Sequence, residues 1–142
     1  MVGYSTNEPV QLRAQGVDVK EFRVSKFVDL AANGVVSSEK VIAENPELVR
    51  RFARALARGI EYTIGHSDAA YRICLKYVEN LDQADQSVQL EVLTTSIEFW
   101  RTKRIGYADP QAWSNMNDLL VQMGLLTAPL DVNAAFTNEF VP

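Results

Sequence analysis

Asn45 to Gly65 reads N-P-E-L-V-R-R-F-A-R-A-L-A-R-G-I-E-Y-T-I-G, and this stretch decides what kind of fold the chain can adopt. Asn45 suits the cap position before a helix, Pro46 the first turn where a missing N–H costs nothing, and Glu47 the positive end of the helix dipole. Gly65 can close the far end. Between them Leu48, Val49, Phe52, Ala53, Leu56, Ala57, Ile60 and Ile64 recur every three or four residues, so they gather on one side of an amphipathic helix. That side is expected to be buried. A large apolar side chain contributes roughly 1.5–3 kcal/mol when fully buried, so the rest of the chain should be organised around this helix.

Upstream, Asn7 followed by Glu8 and Pro9 marks the start of a short helix ending at Gly16. Val19–Val24 alternates apolar and polar residues and is a strand candidate. Asn33-Gly34 signals a turn, Val35 and Val36 make a second short extended piece, and Ser38 caps a helix through Ala43. Downstream, Gly65-His66 is a tight corner before a helix from Ser67-Asp68 to about Val78, with Ala70, Ile73, Cys74 and Tyr77 inward. Ser87–Trp100 forms a further helix through Leu90, Leu93, Ile97 and Trp100. Asp109-Pro110 opens the last long helix, with Trp113, Met116, Leu119, Leu120 and Met123 inward and Gly124 at its close. The tail from Leu125 is irregular apart from one helical turn. The expected architecture is five or six helices with two short strands, and two isolated strands do not make a self-sufficient sheet.

The chain has 142 residues, the length of one ordinary domain, with 47% apolar and 23% charged side chains. Fourteen basic residues against 18 acidic ones give a net charge of −4, which argues against nucleic acid as a partner. The single Cys74 excludes an internal disulfide, and no apolar run reaches the length of a membrane span. Neither the basic region nor the apolar core of an export signal occurs at the start.

The order of several segments resembles a known family. G-Y-S-T-N-E-P at 3–9, G-V-V-S-S-E-K-V-I-A-E-N-P-E-L-V-R-R-F-A-R-A-L-A-R-G at 34–59, Trp113, G-L-L at 124–126 and F-T-N-E-F at 136–140 are similar to the C-terminal half of the thiamine-pyrimidine-precursor binding family. Those proteins are substrate-binding components of ABC importers, with relatives that bind riboflavin or alkanesulfonates. The resemblance implies descent from an α/β type II periplasmic binding fold, in which two lobes close on a ligand. On that template residues 1–34 are a remnant of the second lobe and its crossover, and 35–142 are the C-terminal helical part of the first lobe. The expectation is a fragment of a binding protein for a small heterocycle, not ligand-competent alone, whose complete parent is extracytoplasmic and serves an ABC permease. Made as given, the chain would be cytoplasmic.

The resemblance also implies a ligand contact at Tyr4 and Glu8, which fit the family's Tyr-x-x-x-Glu spacing, with Asn7 adding an amide. A phenol face can stack on a flat heterocycle, and a carboxylate can accept from ring N–H and amino groups. The same residues also read as a terminal Tyr4, a capping Asn7 and a first-turn acid at Glu8. His66 and Cys74 match no metal or iron motif, so no metal, cofactor or catalytic residue is expected. Arg50, Arg54 and Arg58 form a helical stripe beside Arg51, read as a solvated face with Glu47 placed to pair with Arg51. Trp100 and Trp113 read as core anchors. An alternative to the binding-protein fragment is a stand-alone helical domain that self-associates as a homodimer, by exchange of strands or larger elements across exposed edges.

Overall fold

Among the described residues there are six helices: α1 (Glu8–Ala14), α2 (Glu39–Glu44), α3 (Pro46–Gly65), α4 (Ser67–Cys74), α5 (Gln86–Trp100) and α6 (Pro110–Gln122). Short turns of 3-10 helix lie at Val24–Lys26, Leu81–Gln83 and Val132–Ala134. The structure, a computed structural model, describes residues 2–142. Its long-range packing divides the chain into two units, one of residues up to Phe22 with Arg58–Ile105, the other of Arg23–Ala57 with Gly106–Pro142. α3 runs through the boundary.

Neither strand candidate forms, and no strand occurs among the described residues. Val17–Arg23 takes up no regular element before the 3-10 segment, and Val35 and Val36 are both exposed, Val36 at 94%. An alternating pattern supplies a strand's side chains but not a second backbone to pair with, and unpaired strands do not hold. Within the first of these segments Glu21 pairs with Arg13 of α1.

In the unit that carries α1, α4 and α5, the three helices pack so that Val10, Ala70, Tyr71 and Ile97 are buried. Leu90, Leu93 and Trp100 lie half-buried on the same helix as Ile97, as their spacing anticipates. α5 begins at Asp85, whose Oδ1 accepts from the Ser87 and Val88 amides at 2.8 and 3.3 Å and from the Ser87 hydroxyl at 2.6 Å. The Ser87 hydroxyl, followed by the Val88 and Ser87 amides, holds the Asp85 carboxyl below its ordinary value of 3.8. α4 ends at Cys74, a turn earlier than its pattern suggests, because the chain tightens into turns after it. Ile73, Cys74 and Tyr77, expected inward, are therefore exposed, Tyr77 at 81%.

The other unit is held by its C-terminal tail. Asp109 Oδ1 accepts from the Gln111 amide at 3.0 Å to start α6. Gly124, at φ +71°, ends it, with the Leu125 and Leu126 amides folding back to the Leu120 carbonyl at 2.9 and 3.2 Å. Met123, expected inward, is exposed at this end. Phe136 stacks on Trp113 with ring centroids 5.3 Å apart, and Phe140 is buried. Asn138 makes two bonds to one residue 30 positions away: its Oδ1 accepts from the Ala108 amide at 2.8 Å and its Nδ2 donates to the Ala108 carbonyl at 2.9 Å. The Asn117 side chain accepts from the Leu130 amide at 3.1 Å, and Asn115 donates to the Asp29 carbonyl at 2.9 Å.

α3 forms over the expected residues, but its apolar side is only partly covered. At about 100° per residue its apolar positions span an arc of about 180° from Leu48 round to Ala57. Val49, Ala53, Ala57, Ile60 and Ile64 occupy the covered part, and Ala57 is buried. Leu48, Phe52 and Leu56 form an i, i+4, i+8 ridge that stays open at 54%, 56% and 42% exposure. About half of their burial free energy is uncollected, on the order of 2–4 kcal/mol for the three together. The arc is wider than the surface this chain brings against it. Gly65 remains helical, and the corner falls at His66 (φ −144°, ψ 53°), whose ring stacks on Tyr62 at 4.6 Å.

Candidate functional site

The loop before α1 carries Tyr4, Asn7 and Glu8, the residues expected to meet a ligand. The chain reverses at Tyr4–Asn7, where the Asn7 amide donates to the Tyr4 carbonyl at 3.0 Å, and α1 starts with the Gln11 amide donating to the Asn7 carbonyl at 3.0 Å. Asn7 thus serves the helix through its main chain. Its side chain makes no capping bond, a departure from the cap role its residue type suggests. Glu8 does that work in reverse: its Oε2 accepts from the Tyr4 amide at 2.7 Å. The backbone at Asn7 (φ −125°, ψ −70°) turns its amide oxygen away from the helix's first N–H groups, while the longer Glu8 reaches back over the turn.

Glu8 and Tyr4 are therefore brought together, and Gly3 allows it. A Cβ on Gly3 would stand 2.9 Å from the Glu8 carboxyl carbon. The Tyr4 side chain is exposed at the same turn. One carboxylate has about four acceptor sites, so the bond to the Tyr4 amide leaves Glu8 able to accept from a second donor. The turn thus carries an exposed Tyr4 side chain and a Glu8 carboxylate held by the Tyr4 amide, and an aromatic face and a carboxylate are the groups that can hold a planar ring carrying N–H groups.

The arginines of α3 divide in two. Arg50 is not part of a solvated face: its guanidinium donates to the Glu139 carbonyl at 3.2 Å, lies 3.7 Å from the Glu139 and Glu47 carboxylates, and sits 5.3 Å over the Phe140 ring. Glu47 thus pairs with Arg50, whereas Arg51 donates to the Glu47 carbonyl at 3.4 Å. Sequence spacing within α3 could not show that the tail folds back on Arg50, since the two lie 89 positions apart. The doubled Asn138 bond was missed for the same reason. Among the described residues no group of three or more His, Cys, Asp or Glu side chains could hold a metal ion, and no helix is long and apolar enough to cross a membrane.

The loop and the helices after it, residues 1–70, match the sequence model of the NMT1/THI5-like family. Over 146 aligned positions and 99% of its length the chain is 44% identical to the riboflavin-binding protein RibY of Chloroflexus aurantiacus. The alignment takes in 42% of that protein, so the chain spans about two-fifths of the length of the curated relative it matches. The NMT1/THI5-like match agrees with the resemblance carried by the segment order, and the helical chain is consistent with a piece of an α/β type II binding fold by ancestry.

Proposed function

We propose that this chain contributes to a non-enzymatic solute receptor for a flat nitrogen heterocycle, of the riboflavin or aminopyrimidine kind, with Tyr4 and Glu8 contacting the ligand. The observation that carries it is the 44% identity, over nearly the whole chain, to a riboflavin-binding protein. The loop geometry adds chemistry to that likeness. An isoalloxazine offers a planar face for Tyr4 and a ring N–H for the Glu8 carboxylate, and an aminopyrimidine offers the same two features. Asn7, exposed beside them, supplies a further amide. The lobe boundary near residue 34, an extracytoplasmic setting and an ABC permease as partner belong to the same proposal.

Because the chain corresponds to 42% of the relative's length, ligand capture is expected only when the remainder is supplied. The test is flavin fluorescence. In a chimera in which this chain replaces the matched part of the riboflavin-binding relative, riboflavin emission should be quenched on titration, and Tyr4→Ala and Glu8→Ala should each weaken binding about tenfold, the effect of losing roughly 1.4 kcal/mol. The chain alone should leave riboflavin emission unchanged. A folded chimera that binds neither riboflavin nor an aminopyrimidine refutes the proposal.

A second reading, self-association, is favoured by the apolar side chains exposed on α3 and at Val35 and Val36. Sedimentation of the chain at micromolar concentration distinguishes a homodimer from a monomer.

A further inference from the structure

Tyr4 is gripped through both of its main-chain polar groups. Its amide donates to Glu8 Oε2 at 2.7 Å, and its carbonyl accepts from the Asn7 amide at 3.0 Å. The first of these is a charge-assisted bond, stronger than one between neutral groups. It sets the Glu8 carboxylate in a defined place relative to the Tyr4 backbone. The outer part of the Glu8 side chain then fills the space beside Gly3 that a side chain there would take. An added Cβ would stand 2.9 Å from the carboxyl carbon and 3.0 Å from both Cγ and Oε2, well inside the ordinary separation of non-bonded atoms.

What position 3 supplies is room, not an unusual backbone. The glycines with positive φ are Gly16, Gly106 and Gly124; Gly3 is not among them, so its main chain is open to alanine. Every atom that would crowd the new Cβ belongs to Glu8, a half-buried side chain whose torsions let it swing aside. From this geometry we infer that Gly3 is a positioning residue for the ligand contact at the turn. It offers a heterocycle no side chain of its own, and it lets the Glu8 carboxylate settle on the Tyr4 amide and meet a ring N–H from a fixed place. With a larger residue at position 3 the carboxylate leaves that amide, and ordering it again is charged against ligand affinity. The inference rests on the proposed function, because it takes Tyr4 and Glu8 as ligand contacts.

A mutant cycle between Gly3 and Glu8 tests this, since a residue that acts only through another loses its effect once the other is removed. In the chimera that places this chain in the riboflavin-binding relative, riboflavin is titrated and its quenching followed. Gly3→Ala should weaken binding about tenfold, as Glu8→Ala does, and the double variant should be no weaker than Glu8→Ala alone. Val2→Ala, at a neighbouring side chain that is fully exposed, should change nothing. The urea midpoint of Gly3→Ala should equal that of the unsubstituted chain, because the crowding falls on a movable side chain. A double variant about a hundredfold weaker than the unsubstituted chimera would show the two residues acting independently and overturn the inference. A lowered midpoint would mark the alanine as a folding defect and overturn it as well.

Hydrogen exchange at the Tyr4 amide, followed in the chain alone, needs neither chimera nor ligand. Gly3→Ala and Glu8→Ala should speed it alike, and the double variant should go no faster. Exchange in Gly3→Ala as slow as in the unsubstituted chain overturns the inference. The two readings fail separately. Riboflavin bound with an affinity that Glu8→Ala lowers and Gly3→Ala leaves unchanged refutes the role of Gly3 alone. A folded chimera that binds no flavin, with the coupling still seen at the Tyr4 amide, refutes the ligand and leaves the hold of Gly3 on Glu8 standing.

Discussion

Asn138→Ala removes both bonds that tie the tail to Ala108, and its cost can be worked from the geometry. Each bond is of ordinary length, 2.8 and 2.9 Å, and the side chain is half-buried. A hydrogen bond of this kind contributes about 0.5–1.5 kcal/mol net, and the Ala108 amide and carbonyl would be left facing partly desolvated surroundings. The expected loss is about 2 kcal/mol. With a urea dependence of about 2 kcal/mol per molar for a small protein, the unfolding midpoint should fall by about 1 M. Tryptophan emission is a suitable probe because Trp113 stacks on Phe136, two residues from Asn138 in the chain. Asn138→Asp sharpens the test. It keeps an acceptor for the Ala108 amide but turns a carboxylate oxygen toward the Ala108 carbonyl, so at neutral pH it should cost at least as much as alanine. Below the ordinary Asp value of about 3.9 the protonated acid can donate, and part of the loss should return relative to the unsubstituted chain at the same pH. A midpoint for Asn138→Ala within ~0.2 M of the unsubstituted chain would refute the claim that this clamp holds the tail.

Asp85→Ala should lower the melting temperature by removing the α5 cap. The folded Asp85 carboxyl titrates below its ordinary value, so its stabilisation is present above pH 3.8 and is lost as pH falls through the folded value; the gap between wild type and variant, followed by thermal melts, should close over that range. Alanine at two glycines should act with opposite signs. Gly59 is inside α3 with nothing within 4 Å of a new Cβ, so Gly59→Ala should add about 0.5–1 kcal/mol, whereas Gly124 has φ +71° and Gly124→Ala should cost about 1 kcal/mol, both read from urea midpoints. Gly3→Ala should push the Glu8 carboxylate off the Tyr4 amide, and faster hydrogen exchange at that amide is the readout.

The helices were legible because their signals are local. Asp109 and Ser38 each cap the helix their position announces, and the apolar spacing of α5 and α6 marks the sides that turn inward, although α5 starts at Gln86 behind an Asp85 cap that the spacing did not mark. What failed was everything that needed a second backbone or a distant partner. Val19–Val24 has the alternation of a strand, but no strand forms among the described residues. Ile73, Cys74 and Tyr77 keep a helical spacing that ends in solvent because α4 stops at Cys74. At the candidate site, residue types and spacing marked Tyr4 and Glu8, yet the bond from the Tyr4 amide to Glu8 depends on Gly3 leaving room, a three-dimensional condition.

α3 shows where this limit becomes informative. A helix packed on one neighbour needs an apolar stripe of about 100°, and this one carries about 180°. Val49, Ala53 and Ala57 are half-buried or buried, whereas Leu48, Phe52 and Leu56 stay open. Solvent-facing helix positions tolerate almost any polar residue, so a leucine, phenylalanine and leucine in register there are more than scattered surface apolar residues.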